Sequence, residues 1–131
     1  MDGVLYRGNR ALPGAQAFMG RLARRGCPYM LVTNESAFTG EEIHARLQGM
    51  GISVSPSSIY TSAMATAAWV KEHMAGKSVM LVGERSLHAA FREAGIGTTE
   101  EEPECIVIGE MVRLDAPTLA RAAGYAARGV P

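Results

Sequence analysis

Residues 29–34 read Tyr29-Met30-Leu31-Val32-Thr33-Asn34, an unbroken apolar run that closes on two polar residues. A run of this length without alternation predicts a strand covered on both faces, as in a parallel sheet. Residues 78–82 and 105–108 repeat the pattern, and residues 58–60 are a shorter candidate. Amphipathic stretches separate these runs, which predicts βαβ crossovers and a mainly parallel α/β fold.

Five helices are predicted around these strands. The first has an apolar stripe from Ala15 to Ala23 at helical spacing, and Thr39 with Glu42 forms a capping box that opens the second. Trp69, in the third helix, is expected to pack in the interior. The first three helices are expected at residues 13–25, from 39 to about 50, and 63–74. The fourth has Leu87, Ala90, Phe91 and Ala94 on one face and stops at Gly95, and the fifth runs from Asp115 to Gly129.

Both ends of the chain interrupt this pattern. Only Met1 precedes Asp2-Gly3, although a parallel unit begins with a strand. Val130-Pro131 follow a helix stop, where the next strand is expected. We therefore expect the chain to be a segment of a longer protein.

Composition narrows the classes of protein. The chain has 131 residues, with 13 Lys and Arg against 13 Asp and Glu, so its formal net charge is zero. This balance argues against binding a nucleic acid polymer or an anionic membrane by charge alone. The two cysteines, Cys27 and Cys105, form no C-x-x-C pair, and no apolar run reaches the ~18 residues of a membrane span. A cytoplasmic protein is expected.

Several catalytic signatures are incomplete. Gly76-Lys77-Ser78 resembles the end of a P-loop, but Lys71 stands where that motif needs its first glycine. Gly95-Ile96-Gly97 lacks the third glycine of a dinucleotide fingerprint. The histidines have no second metal ligand at helical spacing and are expected on the surface; they are His44, His73 and His88.

Polar residues at two predicted strand ends are the candidate site. Asp2-Gly3 would follow a first strand, and Thr33-Asn34 close the run from Tyr29 to Val32. Ligands collect at the carboxyl ends of parallel strands, where an aspartate can transfer protons and a Thr hydroxyl or Gly N–H can bind phosphate oxygens. The alternative is structural: Asp-Gly is a turn, and Thr-Asn ends a strand.

The same residues resemble a known family. Asp2-Gly3-Val4-Leu5, Pro13-Gly14-Ala15 and Leu31-Val32-Thr33-Asn34 are similar to the start of haloacid dehalogenase (HAD) superfamily phosphatases. The block from Tyr60 to Ala67, with Val82-Gly83-Glu84 and Ile106-Val107-Ile108-Gly109-Glu110, resembles the NagD-like class IIA branch. The resemblance implies a Rossmann-like core followed by an α/β cap. Residues 1–75 would be the first half of the core and residues 76–131 the first part of the cap, both incomplete.

The resemblance also implies a chemistry. Members of the family hydrolyse small phosphomonoesters, such as nucleotide monophosphates, with Mg²⁺ and through an aspartyl-phosphate. Asp2 would protonate the leaving oxygen, activate water and hold Mg²⁺ through its main-chain carbonyl. Gly3, Thr33 and Asn34 would bind the phosphoryl group, and Glu35 stands where many relatives have a small or amide residue.

Other parts of the family's site are expected outside this chain. The nucleophilic aspartate would lie two residues before Asp2, and the lysine and acidic metal ligands of later motifs would lie beyond residue 131. We therefore expect the chain alone to be inactive.

Two further readings stay open at this point. One is a non-enzymatic α/β binding module or truncated remnant, and the other, weaker one is a dinucleotide-binding domain. The oligomeric state stays open as well; a homo-oligomer is one alternative, because members of the resembled family commonly pair through their caps.

Overall fold

The computed structural model describes residues 1–113 and 115–131, and the chain divides into two compact units. Unit 1 comprises Met1–Asn34 and Gly40–Thr61, and unit 2 comprises Glu35–Thr39 and Ser62–Pro131. The chain therefore passes from one unit to the other after residues 34, 39 and 61. The predicted assignment of residues 1–75 to a core and 76–131 to a cap remains a prediction.

Unit 1 is built around a pair of parallel strands. Its elements are β1 (Tyr6–Arg7), β2 (Arg10–Ala11), α1 (Ala15–Arg24), β3 (Leu31–Thr33), α2 (Gly40–Gly49), a 3-10 turn (Pro56–Ser58) and β4 (Ile59–Thr61). β3 pairs with β4 in parallel, with Leu31 opposite Ile59 and Thr33 opposite Thr61. The predicted parallel α/β arrangement is confirmed for this pair, although β3 begins at Leu31 and not at Tyr29.

The hairpin of β1 and β2 was not predicted. Its strands are two residues each, too short to show a periodic pattern, and they are joined through Gly8 and Asn9. Gly8 has a φ of 58°, the left-handed conformation that glycine adopts without a steric penalty. Tyr6 of β1 is buried, and Arg46 of α2 donates a hydrogen bond of 2.8 Å to its hydroxyl. The hairpin is thereby tied to the helix.

Only one face of the β3–β4 sheet is covered within unit 1. The core of this unit joins α1, α2 and β4 through buried residues such as Met19, Leu47 and Ile59. On the opposite face, Met30 is 59% exposed and Val32 is 64% exposed. The prediction of a strand covered on both faces is therefore wrong for β3 among the described residues.

Unit 2 contains the second pair of parallel strands. Its elements are α3 (Ser62–His73), β5 (Val79–Val82), α4 (Arg85–Glu93), β6 (Cys105–Ile108) and α5 (Ala116–Ala127). β5 and β6 are parallel, with Val79 opposite Cys105 and Val82 opposite Ile108. Both outer edges carry a further contact: Thr98 forms a parallel bridge with Val79, and the Ile106 N–H donates to the Pro131 carbonyl.

Helices cover both faces of β5. Val79 and Leu81 pack with α3 and α4, where Phe91 is fully buried. Met80 and Val82 pack on the opposite face with Ala122 of α5. The prediction of a strand covered on both faces is confirmed for β5, all four of whose residues are buried. It is wrong for β6 among the described residues, because only Cys105 is buried there and Ile108 is 59% exposed.

Some surface predictions need correction. Trp69 is 53% exposed, and its ring stacks on His73 with centroids 4.7 Å apart, so the prediction that it packs in the interior is wrong. His73 and His88 are exposed as predicted, whereas His44 is partly buried on α2. Within residues 1–113 and 115–131, no helix combines the length and apolar character needed to cross a bilayer.

Candidate active site

The carboxyl end of the β3–β4 sheet presents two threonines side by side. Thr33 and Thr61 are register partners on adjacent parallel strands, so their side chains project from the same face of the sheet. Both are buried, with exposures of 7% for Thr33 and 2% for Thr61. Thr33 therefore lies where sequence analysis placed it, at the end of a parallel strand.

Thr61 was not singled out as a site residue from the sequence. It falls inside the block from Tyr60 to Ala67 that carries the family resemblance, but no motif assigns it a role. Only the pairing of β3 with β4 places Thr61 opposite Thr33, and the sequence of one strand does not show which strand it pairs with. The structure adds its hydroxyl to the groups at this edge.

Asn34 follows β3 directly and is exposed. The chain enters unit 2 at the next residue, Glu35. The Glu35 carboxylate accepts a hydrogen bond of 3.2 Å from the Ala37 N–H. From the sequence, Glu35 stands where many relatives have a small or amide residue. In the structure its carboxylate has a hydrogen-bond donor within its own segment.

Asp2 and Gly3 form a tight turn at the start of unit 1. The Gly3 N–H donates to the Asp2 carboxylate at 2.8 Å and to the Tyr6 carbonyl at 2.8 Å. Gly3 has a φ of 73°, which favours glycine at this position. Asp2 is exposed, so its carboxylate is accessible for proton transfer or for a metal ion.

Binding of a metal ion depends on the donor atoms that the structure places together. Mg²⁺ prefers a near-octahedral shell of oxygen ligands, often with one or two carboxylates and several waters. Asp2 offers such oxygens in its carboxylate and its main-chain carbonyl. No group of three or more His, Cys, Asp or Glu side chains suited to a metal occurs among the residues that the structure describes. Asp2 fits as one ligand of a hard cation, and the rest of the shell needs other donors.

Comparison with known proteins identifies relatives of the whole chain. The family model "Haloacid dehalogenase-like hydrolase" matches residues 1–97. The chain is 38% identical over 110 residues to the dihydroxyacetone phosphatase of Corynebacterium glutamicum strain R, covering 84% of this chain and 40% of that protein. It is 35% identical over 129 residues to the ribonucleotide monophosphatase NagD of Escherichia coli K12, covering 98% and 51% respectively.

Solved structures agree with this assignment. The structure of NagD from E. coli K-12 superimposes with a TM-score of 0.90 over 99% of this chain and 52% of NagD. A glycerol phosphate phosphatase of Mycobacterium tuberculosis, solved in complex with magnesium, is 25% identical with a TM-score of 0.89, covering 99% of this chain and 40% of that one. The chain thus spans about half the length, or somewhat less, of the relatives it matches.

The family match includes both predicted strand-end motifs, Asp2-Gly3 and Thr33-Asn34. The structural match covers 99% of the chain, so the likeness extends through β5, β6 and α5. The chain belongs to the haloacid dehalogenase-like hydrolases, in their NagD-like class IIA branch.

Proposed function

We propose that this chain supplies part of the active site of a Mg²⁺-dependent phosphomonoester hydrolase of the NagD-like type. The observation that carries the proposal is the family match over residues 1–97, which spans Asp2-Gly3 and Thr33-Asn34. The burial of Thr33 at the carboxyl end of β3 supports it, because ligands of open parallel sheets bind at that edge.

Each candidate residue has a chemical role in this proposal. Asp2 acts first as a general acid: its protonated carboxyl gives a proton to the leaving oxygen. The carboxylate that this leaves then acts as a general base and takes a proton from the attacking water. The Thr33 hydroxyl donates to a phosphoryl oxygen, beside Asn34. The Gly3 N–H does the same, and it exchanges its present acceptors, the Asp2 carboxylate and the Tyr6 carbonyl, for that oxygen.

Mg²⁺ neutralises phosphate charge and orients the phosphoryl group when it is bound. Asp2 is the residue of this chain that would hold it, through its main-chain carbonyl. The M. tuberculosis glycerol phosphate phosphatase, solved in complex with magnesium and also with calcium, supports a hard divalent cation.

The proposed substrate is a small phosphate ester and not a nucleic acid polymer. The relatives include a dihydroxyacetone phosphatase, a ribonucleotide monophosphatase and a Staphylococcus aureus protein named acid sugar phosphatase. The 13 basic and 13 acidic residues also balance, so the chain has no net positive charge to attract a polyanion.

We further propose that the 131-residue chain alone does not hydrolyse phosphomonoesters. The nucleophilic aspartate of the family would stand two residues before Asp2, and the covalent route needs that carboxylate. Thr33 does not replace that carboxylate in this proposal, because its hydroxyl donates to a phosphoryl oxygen and does not accept the phosphoryl group.

The first experiment measures p-nitrophenyl phosphate hydrolysis by the purified chain, with and without Mg²⁺. We expect no Mg²⁺-dependent rate above that of Thr33→Ala. A rate that depends on Mg²⁺ and is lost in Thr33→Ala would contradict the proposed inactivity.

The second experiment supplies the missing groups. The chain is joined to the residues of E. coli NagD that flank the matched half on both sides, and folding of the chimera is verified by circular dichroism. In the folded chimera we expect Mg²⁺-dependent hydrolysis that falls about 10²- to 10⁴-fold in Asp2→Asn. Asp115→Asn, an exposed aspartate of unit 2, is the matched control and should keep full activity. A folded chimera in which Asp2→Asn is as active as the control would overturn the role of Asp2.

A further inference from the structure

The segment Glu35–Thr39 belongs to unit 2, although β3 and α2 on either side of it belong to unit 1. Ser36 anchors this segment and is only 8% exposed. It lies two positions after Asn34 and three after Thr33. The chain that leaves the proposed phosphate-binding residues is therefore held by a different unit from the strand that carries them.

Two hydrogen bonds hold Ser36 from two sides. The hydroxyl of Ser86, at the start of α4, donates to the Ser36 carbonyl. The N–H of Glu110, just after β6, donates to the Ser36 hydroxyl at 3.0 Å. Ser86 is 4% exposed, so the bond it makes is shielded from water. A buried polar group that loses its partner is costly, which makes this arrangement sensitive to the loss of either hydroxyl.

The surface beneath Ser36 is closely packed. The Gly109 N–H donates to the Val82 carbonyl at 2.8 Å, which joins the ends of β5 and β6. A Cβ at Gly109 would lie 3.1 Å from the Leu87 side chain and 3.6 Å from the Ser36 hydroxyl. Ser36 thus lies against Gly109, and this contact forms only when β5, β6 and α4 are folded.

We propose that Ser36 is a positioning residue for Thr33 and Asn34, and that it acts through the backbone of residues 34–36. The Ser36 latch, defined as Ser36 with its partners Ser86 and Glu110, makes the conformation of this backbone depend on the folded ends of β5 and β6. What the positioned residues bind rests on the proposed function, but the positioning itself does not.

The test measures amide hydrogen exchange, residue by residue, in the 131-residue chain. Ser86→Ala removes the donor to the Ser36 carbonyl, and Ser36→Ala removes the acceptor of the Glu110 N–H. In both variants we expect the amides of residues 33–37 to exchange roughly 5- to 10-fold faster, which corresponds to the loss of one hydrogen bond. Ser86→Thr keeps the hydroxyl and should restore the wild-type rates.

Thr66→Ala is the matched control. Its hydroxyl donates to the Ser62 carbonyl at 2.9 Å inside α3, in the same unit but outside the Ser36 latch. A purely structural role for Ser36 predicts faster exchange across unit 2 in all of these variants, with Thr33 and Asn34 unchanged.

Two results would overturn the proposal. One is unchanged exchange at Thr33 and Asn34 in both Ser36→Ala and Ser86→Ala. The other is an equal acceleration at these residues in Thr66→Ala. If Ser36→Ala does not fold, Ser86→Ala and its Thr rescue decide the matter, because they leave Ser36 in place.

Binding of inorganic phosphate in the presence of Mg²⁺, followed by the amide shifts of Thr33 and Asn34, separates the two proposals. Accelerated exchange without phosphate binding supports the positioning role and counts against the proposed function. Phosphate binding that Ser36→Ala leaves unchanged supports the proposed function and counts against the positioning role.

Discussion

The two parallel sheets of this protein are alike in their pairing and differ in their coverage. β3–β4 and β5–β6 are each a pair of parallel strands, and in each pair a helix connects the two strands as a βαβ unit. β5 is buried on both faces, against α3 and α4 on one side and α5 on the other. β3 has a covered face and an open one, on which Val32 is 64% exposed.

This difference shows what an apolar run encodes. Residues 29–32 and 79–82 are equally apolar, so both predict strands of a parallel sheet. Coverage of the second face of β5 depends on a helix remote in sequence, α5, and α5 has no counterpart over Met30 and Val32 within the described chain. Apolar character therefore predicts the strand, whereas the helices packed on it decide how much its side chains contribute to stability.

The largest expected effect comes from placing a charge on each sheet. Val82→Asp puts a carboxylate between the sheet and α5 and should destabilise unit 2 by more than about 3 kcal/mol, because a buried charge has no compensating partner there. Val32→Asp, on the open face, should cost at most about 1 kcal/mol, mostly from strand propensity. Urea unfolding followed by circular dichroism measures both, and equal costs would abolish the distinction between the sheets.

An intermediate effect on stability is expected at Gly109, which follows the end of β6. Gly109→Ala forces a methyl group to within 3.1 Å of the Leu87 side chain, which is itself buried. We expect a loss of about 1–3 kcal/mol in the free energy of unfolding. Gly97→Ala is the matched control: a Cβ there meets nothing within 4 Å and its φ is not positive, so stability should change by less than about 0.5 kcal/mol. Comparable losses in the two variants would mean that packing at the strand ends is not tight.

The smallest expected effect on stability concerns α5, which covers one face of β5 and has no counterpart on the β3–β4 sheet. Asp115 caps its first turn, and hydrogen bonds from the Thr118 hydroxyl and N–H lower the pKa of its carboxyl. The folded state therefore binds this proton less tightly than the unfolded chain. The stabilising contribution is present above the ordinary Asp pKa of about 3.9 and is lost as pH falls through the lower folded value.

Asp115→Asn isolates this contribution, because the amide oxygen still accepts the Thr118 N–H but does not titrate. We expect the difference in the free energy of unfolding between the wild type and this variant to be larger at pH 7 than at pH 3. A difference that widens on acidification would contradict the assigned direction of the pKa shift.

The sequence predicted most of the regular elements and much less of their surroundings. The five helices and the four apolar strands of the described chain were predicted, because helical periodicity and continuous apolar runs are both local features of the sequence. The β1–β2 hairpin was missed, since two-residue strands have no period to detect. Trp69 was misplaced because an apolar neighbourhood along α3 does not say which face of the helix is covered.

The candidate site divides in the same way. Asp2, Gly3, Thr33 and Asn34 were chosen from residue chemistry and family resemblance, and their roles remain proposals. Thr61 became a neighbour of Thr33 only through strand pairing. Ser36 acquired partners 50 and 74 positions away, Ser86 and Glu110, which no local pattern reports.

By itself, then, the sequence determined the alternation of strands and helices, the family and the polar residues at two strand ends, because each is written in residue types at short spacing. Only the tertiary structure decided which strand is covered on both faces, which threonines lie side by side and which unit holds the chain after Asn34. Those features depend on contacts between residues far apart in the chain, and such contacts exist only once the chain has folded.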